Sequence, residues 1–216
     1  MLKDELEKEF KILKRKYNIT EKDFVAPYVF KKYKDPKLTL ISIILSQNST
    51  DKSALKAFEN LYQIYNKNPS EKEIIRRIRV CGLAKQKAAY IKEIMNLDYK
   101  FFDNILKEKE ENARKTLTNI KGIGEKTADV FLSLYGKNVF PVDRHIMRIG
   151  KRLGIGKNYR EISRYFLKEL GKETKYHLML ISHGRYICKA KNPLCNECYL
   201  RNNCNYYKTL DRKNEI

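Results

Sequence analysis

Apolar residues recur at helical spacing along almost the whole chain. Leu6, Phe10, Leu13 and Tyr17 step by four, three and four, the mark of an amphipathic helix with a basic outer face. The run from Leu38 to Leu45 is rich enough in branched residues to be a strand, yet it lies among helical patterns and reads as a buried helix. Ser70 followed by Glu73 is a capping box that opens a helix carrying Ile74, Ile75 and Ile78, and Gly82 stops it. Further amphipathic stretches cover Lys85 to Leu97, Lys109 to Leu117, Asp143 to Leu153, Arg160 to Leu170 and Lys175 to about Ile187. Pro and Gly fall mainly between them, at Pro69, Gly82, Pro141, Gly154 and Gly156. The pattern predicts an all-α protein without long linker or repeat, ending in a polar segment after Cys204 that frays.

At 216 residues the chain can form one large or two modest domains. Lys and Arg outnumber Asp and Glu by 46 to 26, a formal charge of +20. That excess suits a polyanion, nucleic acid first. An anionic membrane is the rival, but no apolar run approaches a membrane span and no basic stretch opens into an apolar signal region. The expectation is a soluble protein that stays in the cytoplasm. The 15 Tyr and 9 Phe could stack on bases, but at helical spacing such residues are more often core.

Four of the five cysteines, Cys188, Cys195, Cys198 and Cys204, lie near the C-terminus with six, two and five residues between them. Four thiolates from one short loop suit a tetrahedral zinc ion or the four irons of a cubane cluster. Structural zinc sites usually use two close pairs, and only Cys195 and Cys198 form one here. Free thiols or disulfides are the bland alternatives. Cys81 stands alone and reads as a small core residue.

The segment LTNIKGIGEKTADVFLSLYG, from Leu117 to Gly136, reads as a helix ending at Ile120, a tight turn on Gly122 and Gly124, and a new helix from near Glu125. The turn's amides and the positive end of the new helix can hold a phosphate without reading sequence. On the new helix Val130, Phe131, Leu134 and Tyr135 are expected to pack inward, with Lys126, Asp129 and Ser133 on the other face.

The cysteine run resembles, gap for gap, the cluster loop of the endonuclease III family of DNA glycosylases, and the glycine hairpin resembles that family's helix-hairpin-helix. The resemblance extends from about residue 20 to Cys204 and implies a [4Fe–4S] cluster on the four cysteines. In the hairpin, Ile120, Lys121, Gly122, Ile123, Gly124, Glu125 and Lys126 match the family pattern, with Lys121 in place of the common proline. Lys126 then takes the position of the catalytic lysine. Val142, Asp143, Arg144 and His145 match the motif of the catalytic aspartate, although the interval from Lys126 is one residue shorter than in the best-known members.

LSQNSTDKSA, from Leu45 to Ala54, is similar to the segment whose glutamine fills the gap left by an extruded base; Asn48 or Gln47 takes that position. The same residues could instead be a helix N-cap cluster built from Asn48, Ser49 and Thr50. Gly82 and Leu83 resemble the loop that wedges the opposite strand. Lys189 and Lys191 could reach phosphates from the cluster loop, and His145 could touch one, whereas His177 and His183 read as ordinary helix residues.

The resemblance therefore implies a two-lobed fold: a six-helix barrel over 21–135, and a discontinuous iron–sulfur domain from 1–20 and 136–216. It implies a monomeric base-excision enzyme that flips oxidised pyrimidines out of duplex DNA, removes them and nicks the abasic site through a lysine Schiff base. The active cleft is expected between the lobes. The helix N-terminus and neighbouring cations disfavour the ammonium form of Lys126, while Asp143 favours it and could take its proton. A monofunctional mismatch glycosylase and a non-catalytic DNA-binding module are the rivals.

Overall fold

The computed structural model describes residues 2–214. Its first helix, α1, is Leu2–Lys16. The next eight are α2 (Val25–Tyr33), α3 (Pro36–Ser46), α4 (Asp51–Tyr62), α5 (Glu71–Ile78), α6 (Ala84–Asn96), α7 (Tyr99–Lys107), α8 (Glu110–Thr118) and α9 (Glu125–Leu134). The last four are α10 (Arg144–Leu153), α11 (Tyr159–Leu170), α12 (Thr174–Tyr186) and α13 (Asn205–Asn214). No strand occurs among the described residues. The chain divides into two compact units, one of residues 20–135 and one of residues up to 19 together with those from 136 onward.

In the first unit α3 is the hub. Every residue from Leu38 to Leu45 is buried, and α3 packs on α2, α4, α6 and α9. A helix enclosed all round needs no polar face, which is why its sequence is an apolar run. Asp35 caps it by accepting from Leu38 N at 2.8 Å, and Pro36 opens it. The capping box of α5 forms as the sequence predicts: Glu73 N donates to Ser70 Oγ at 3.3 Å and Ser70 N to Glu73 Oε2 at 2.8 Å. Gly82, at φ +71°, ends the short 3-10 turn that follows α5.

The second hairpin helix departs from its predicted pattern. From Thr127 to Leu134, α9 is buried on all sides, Asp129 and Ser133 included. Asp129, at 0 % exposure, accepts from Arg114 Nε of α8 at 2.7 Å. Ser133 Oγ donates to Val130 O at 2.9 Å. Both polar groups are tolerated inside because each is hydrogen-bonded.

In the second unit α1 lays Leu6, Leu13 and the carboxylate of Glu9 against α12, and Tyr17 stacks on Tyr186 with ring centroids 4.0 Å apart. Over 205–214 the expected fray is instead α13, and residues 215 and 216 lie outside the described residues. Its Tyr206 ring receives the Arg152 guanidinium at 4.6 Å, and α13 packs on α10.

Replacing Asp129 with Ala leaves the Arg114 guanidinium without its buried carboxylate between α8 and α9, and a loss of about 1.5–3 kcal/mol is expected. Urea unfolding of the variant against wild type measures it.

Candidate nucleic-acid and catalytic site

The hairpin is narrower in its demands than two glycines suggest. Helix α8 ends at Thr118, and Ile120 and Ile123 sit buried in the turn, joined by an Ile123 N to Ile120 O bond of 3.1 Å. Gly122 has φ +83°, and a Cβ there would lie 2.2 Å from the Tyr90 ring, so glycine is required twice over. Gly124 is extended, caps α9 and would meet nothing with a Cβ, so the turn itself makes no such demand of it. Lys121 is exposed, and Lys126, second residue of α9, is half-buried.

Gln47 and Asn48 receive different roles. Gln47 ends α3, and its Nε2 donates to Gly122 O at 2.9 Å and Thr127 Oγ1 at 3.2 Å, bracing the hairpin beside Lys126. Asn48 is exposed, at φ +48°, and belongs to no N-cap cluster; Thr50 alone caps α4, accepting from Ser53 N at 3.1 Å. Leu83 stands 53 % exposed at φ +50°.

Asp143 belongs to the second unit, where it caps α10: its Oδ1 accepts from His145 N and Ile146 N, both at 2.9 Å. His145 is not a surface histidine. It is half-buried against Gly184, where any Cβ would stand 2.6 Å from its own, and its Nδ1 lies 3.2 Å from Arg148 Nη2. Burial pushes its pKa down, and Arg148 adds to that against the pull of Asp143.

The same helix holds the cysteine loop. Arg148 donates to Cys188 O at 2.9 Å and Gly184 O at 2.8 Å; one turn on, Arg152 donates to Lys189 O at 2.6 Å, Ala190 O at 3.1 Å and Cys188 Sγ at 3.3 Å. The four cysteines line one cavity with Ile149 and Leu200. Burial raises the Cys195 thiol, and the charges of Cys198, Cys188 and Cys204 raise it further, so the four sulfurs act on one another. Burial also raises Cys188, but His183 and Arg152 outweigh it and the net direction is down. Such a donor set, soft and half-buried, fits a thiolate-bound metal centre. Lys189 is half-buried and Lys191 exposed on this loop.

His183, read from sequence as an ordinary helix residue, belongs to this centre. It is buried, its Nδ1 lies 2.5 Å from Glu9 Oε1, and its ring also hydrogen-bonds Cys188 and Cys198. Burial lowers its pKa, yet those bonds to Cys188, Cys198 and Glu9 carry it well above the ordinary value. Its place five residues before Cys188, at the end of the helix that feeds the loop, was the available signal.

The family model of the HhH-GPD superfamily base excision DNA repair protein matches residues 41–172. The chain belongs to that superfamily. It is 39 % identical over 208 residues to the Endonuclease III of Sulfolobus acidocaldarius, covering 90 % of this chain and 93 % of the relative. Against the Endonuclease III of Escherichia coli K12 it is 31 % identical over 202 residues, covering 89 % and 90 %. Among solved structures it is similar to a trapped Endonuclease III–DNA covalent intermediate, with TM-score 0.66, 28 % identity, and 90 % and 100 % of the two chains covered. These likenesses put it in the endonuclease III branch of the superfamily. No described helix is long and apolar enough to cross a membrane.

Because burial depresses the His145 pKa, the unfolded chain takes up this proton first as pH falls below about 6.5. That contribution to stability is present above this pH and is lost as pH drops toward the folded value. His145→Gln should flatten the loss between about pH 6.5 and 5 in thermal melts.

Proposed function

We propose that this chain is a bifunctional DNA glycosylase and abasic-site lyase of base excision repair, acting on oxidised pyrimidines in duplex DNA. The observation that carries the reading is the half-buried Lys126 on the first turn of the second hairpin helix, in a chain that matches Endonuclease III proteins over nine-tenths of its length. The matched structures hold DNA, one of them as a trapped covalent intermediate.

The chemistry follows from the side chains. The base must leave the stack before an amine can reach its sugar. The Lys126 amine attacks C1′ and the C–N bond to the base breaks, leaving a Schiff base on the opened sugar. That iminium makes the C2′ proton acidic, and its loss expels the 3′ phosphate by β-elimination. Asp143 commits Oδ1 to capping α10, which fixes its carboxylate and leaves Oδ2 to take the amine's proton or face positive charge on the sugar. The hairpin amides, with Lys121 beside them, hold backbone phosphate. Gln47 is spent on the hairpin, so Asn48 fills the vacated stack and Leu83 wedges the opposite strand.

Cys188, Cys195, Cys198 and Cys204 hold a [4Fe–4S] cluster, which supplies iron–sulfur bonds that fold a loop with little core of its own. Neither base release nor elimination exchanges electrons with an outside acceptor, so its role in the reaction is structural. The ordered loop then carries Lys189 and Lys191 toward phosphate.

Borohydride treatment of the protein with a duplex containing an abasic site should give a covalent adduct that is lost in Lys126→Ala. Base release without an adduct in wild type would mark a monofunctional glycosylase, and neither activity a simple DNA-binding module. Protein purified without oxygen should be brown and carry about four irons per chain. Cys195→Ser should lose them, and zinc in their place would overturn the cluster.

A further inference from the structure

Lys87 is a buried cation that no carboxylate among the described residues pairs with. It sits in the first turn of α6, 1 % exposed, and its ammonium has three protons to place. Nζ donates to Leu45 O at 2.9 Å and to Cys81 O at 3.0 Å, and lies 3.6 Å from Cys81 Sγ. Its own amide donates to Leu83 O at 2.9 Å.

Those carbonyls are not arbitrary. Leu45 is in the last turn of α3, whose end carbonyls have no helical partner, and Ser46, Gln47 and Asn48 follow it directly. Cys81 and Leu83 flank Gly82, in a turn where both Gly82 and Leu83 have positive φ, at +71° and +50°. One side chain thus fixes the base of the Gln47–Asn48 loop and the base of the Gly82–Leu83 loop to each other. A positive charge answers the negative end of α3 there, which an apolar residue of equal size could not do. Leu83 makes no side-chain cap for α6 and needs such external restraint to hold a left-handed conformation.

We infer that Lys87 is a positioning residue that sets the spacing between the two DNA-inserting loops, so that Asn48 and Leu83 enter the duplex as one unit. This rests on the roles proposed above for Asn48 and Leu83. The inference concerns work that only a stacked duplex demands: an abasic site in single-stranded DNA has neither an opposite base to wedge nor a stack to refill.

The test compares strand nicking at an abasic site in duplex and in single-stranded DNA. Lys87→Met should lower kcat/KM on the duplex by about tenfold or more while single-strand nicking stays within about twofold of wild type. A 2-aminopurine opposite the abasic site should lose the fluorescence change that wild type produces. Lys87→Arg, which keeps donors for the carbonyls, should fall between. Equal losses on both substrates, or none, would overturn the proposal. Should Lys87→Met fail to fold, the duplex to single-strand ratio of Lys87→Arg decides: a lowered ratio supports it and a wild-type ratio overturns it. Failure of the underlying reading looks different. Asn48→Ala and Leu83→Ala would both keep the wild-type ratio, and the loops would then not be inserting at all.

Discussion

Guanidinium groups clasped by main-chain carbonyls hold the second unit in shape. The segment from Cys188 to Cys204 offers Leu200 as a fully buried side chain and is otherwise short, polar and partly exposed, so apolar burial alone cannot fold it. Arg148 and Arg152, one turn apart on α10, pin its first residues through Cys188 O, Lys189 O and Ala190 O. The same helix begins at the cap formed by Asp143. A ten-residue helix is about 15 Å long and stiff, so the carboxylate at one end and the cysteine loop at the other share one rod. Gly184 lets α12 approach α10 closely at His145, and α12 then delivers His183 to the thiols. The proposed catalytic carboxylate and the proposed cluster ligands are thus joined through this one helix.

The same device recurs across the chain and changes how its charge is to be understood. Lys87 serves Leu45 O and Cys81 O, Lys37 serves Met95 O, Lys92 serves Pro69 O, and Lys172 serves Gly136 O. Each of these cations satisfies a carbonyl at a helix end or in a loop, where regular structure leaves acceptors open. Part of the basic excess is therefore engaged by the chain's own carbonyls. A count of basic residues sets an upper bound on contacts with a polyanion.

What sequence conveys and what it hides divide along the same line. Periodicity located the amphipathic helices because each has a solvent face, and even the run in α3 could be recognised from its surroundings. The motifs singled out Lys126, Asp143 and the four cysteines as candidates, since each lies within a short contiguous pattern. Partnerships between distant positions left no such trace. Asp129 reads as a surface residue until Arg114, on the preceding helix, is seen against it. His183 shows in sequence only its nearness to Cys188, and its partner Glu9 lies 174 residues away. Lys87 is one of 46 basic residues; its spacing from Ile91 and Ile94 puts it on the apolar face, but nothing in the sequence names the carbonyls that hold it there. The stability of α13 was hidden too, because Tyr206 has value only where Arg152 is waiting.

Leu83 holds a backbone conformation that its side chain does not favour. The other non-glycine residues of positive φ among the described ones are four asparagines and Lys34. Asparagine tolerates that region through its short polar side chain, whereas a leucine there is a true outlier costing roughly 1–3 kcal/mol. Burial gives no compensation, since the side chain is 53 % exposed. Glycine or asparagine would relieve the backbone at once, and the wedge proposed for Leu83 gives the leucine a use outside the folded chain. An apolar wedge between stacked bases is such a use, because inserting one costs unstacking energy that a flexible or polar side chain could not repay. Beneath the turn, the buried Lys87 ammonium donates to Cys81 O while its own amide donates to Leu83 O, which ties both sides of the turn to the start of α6.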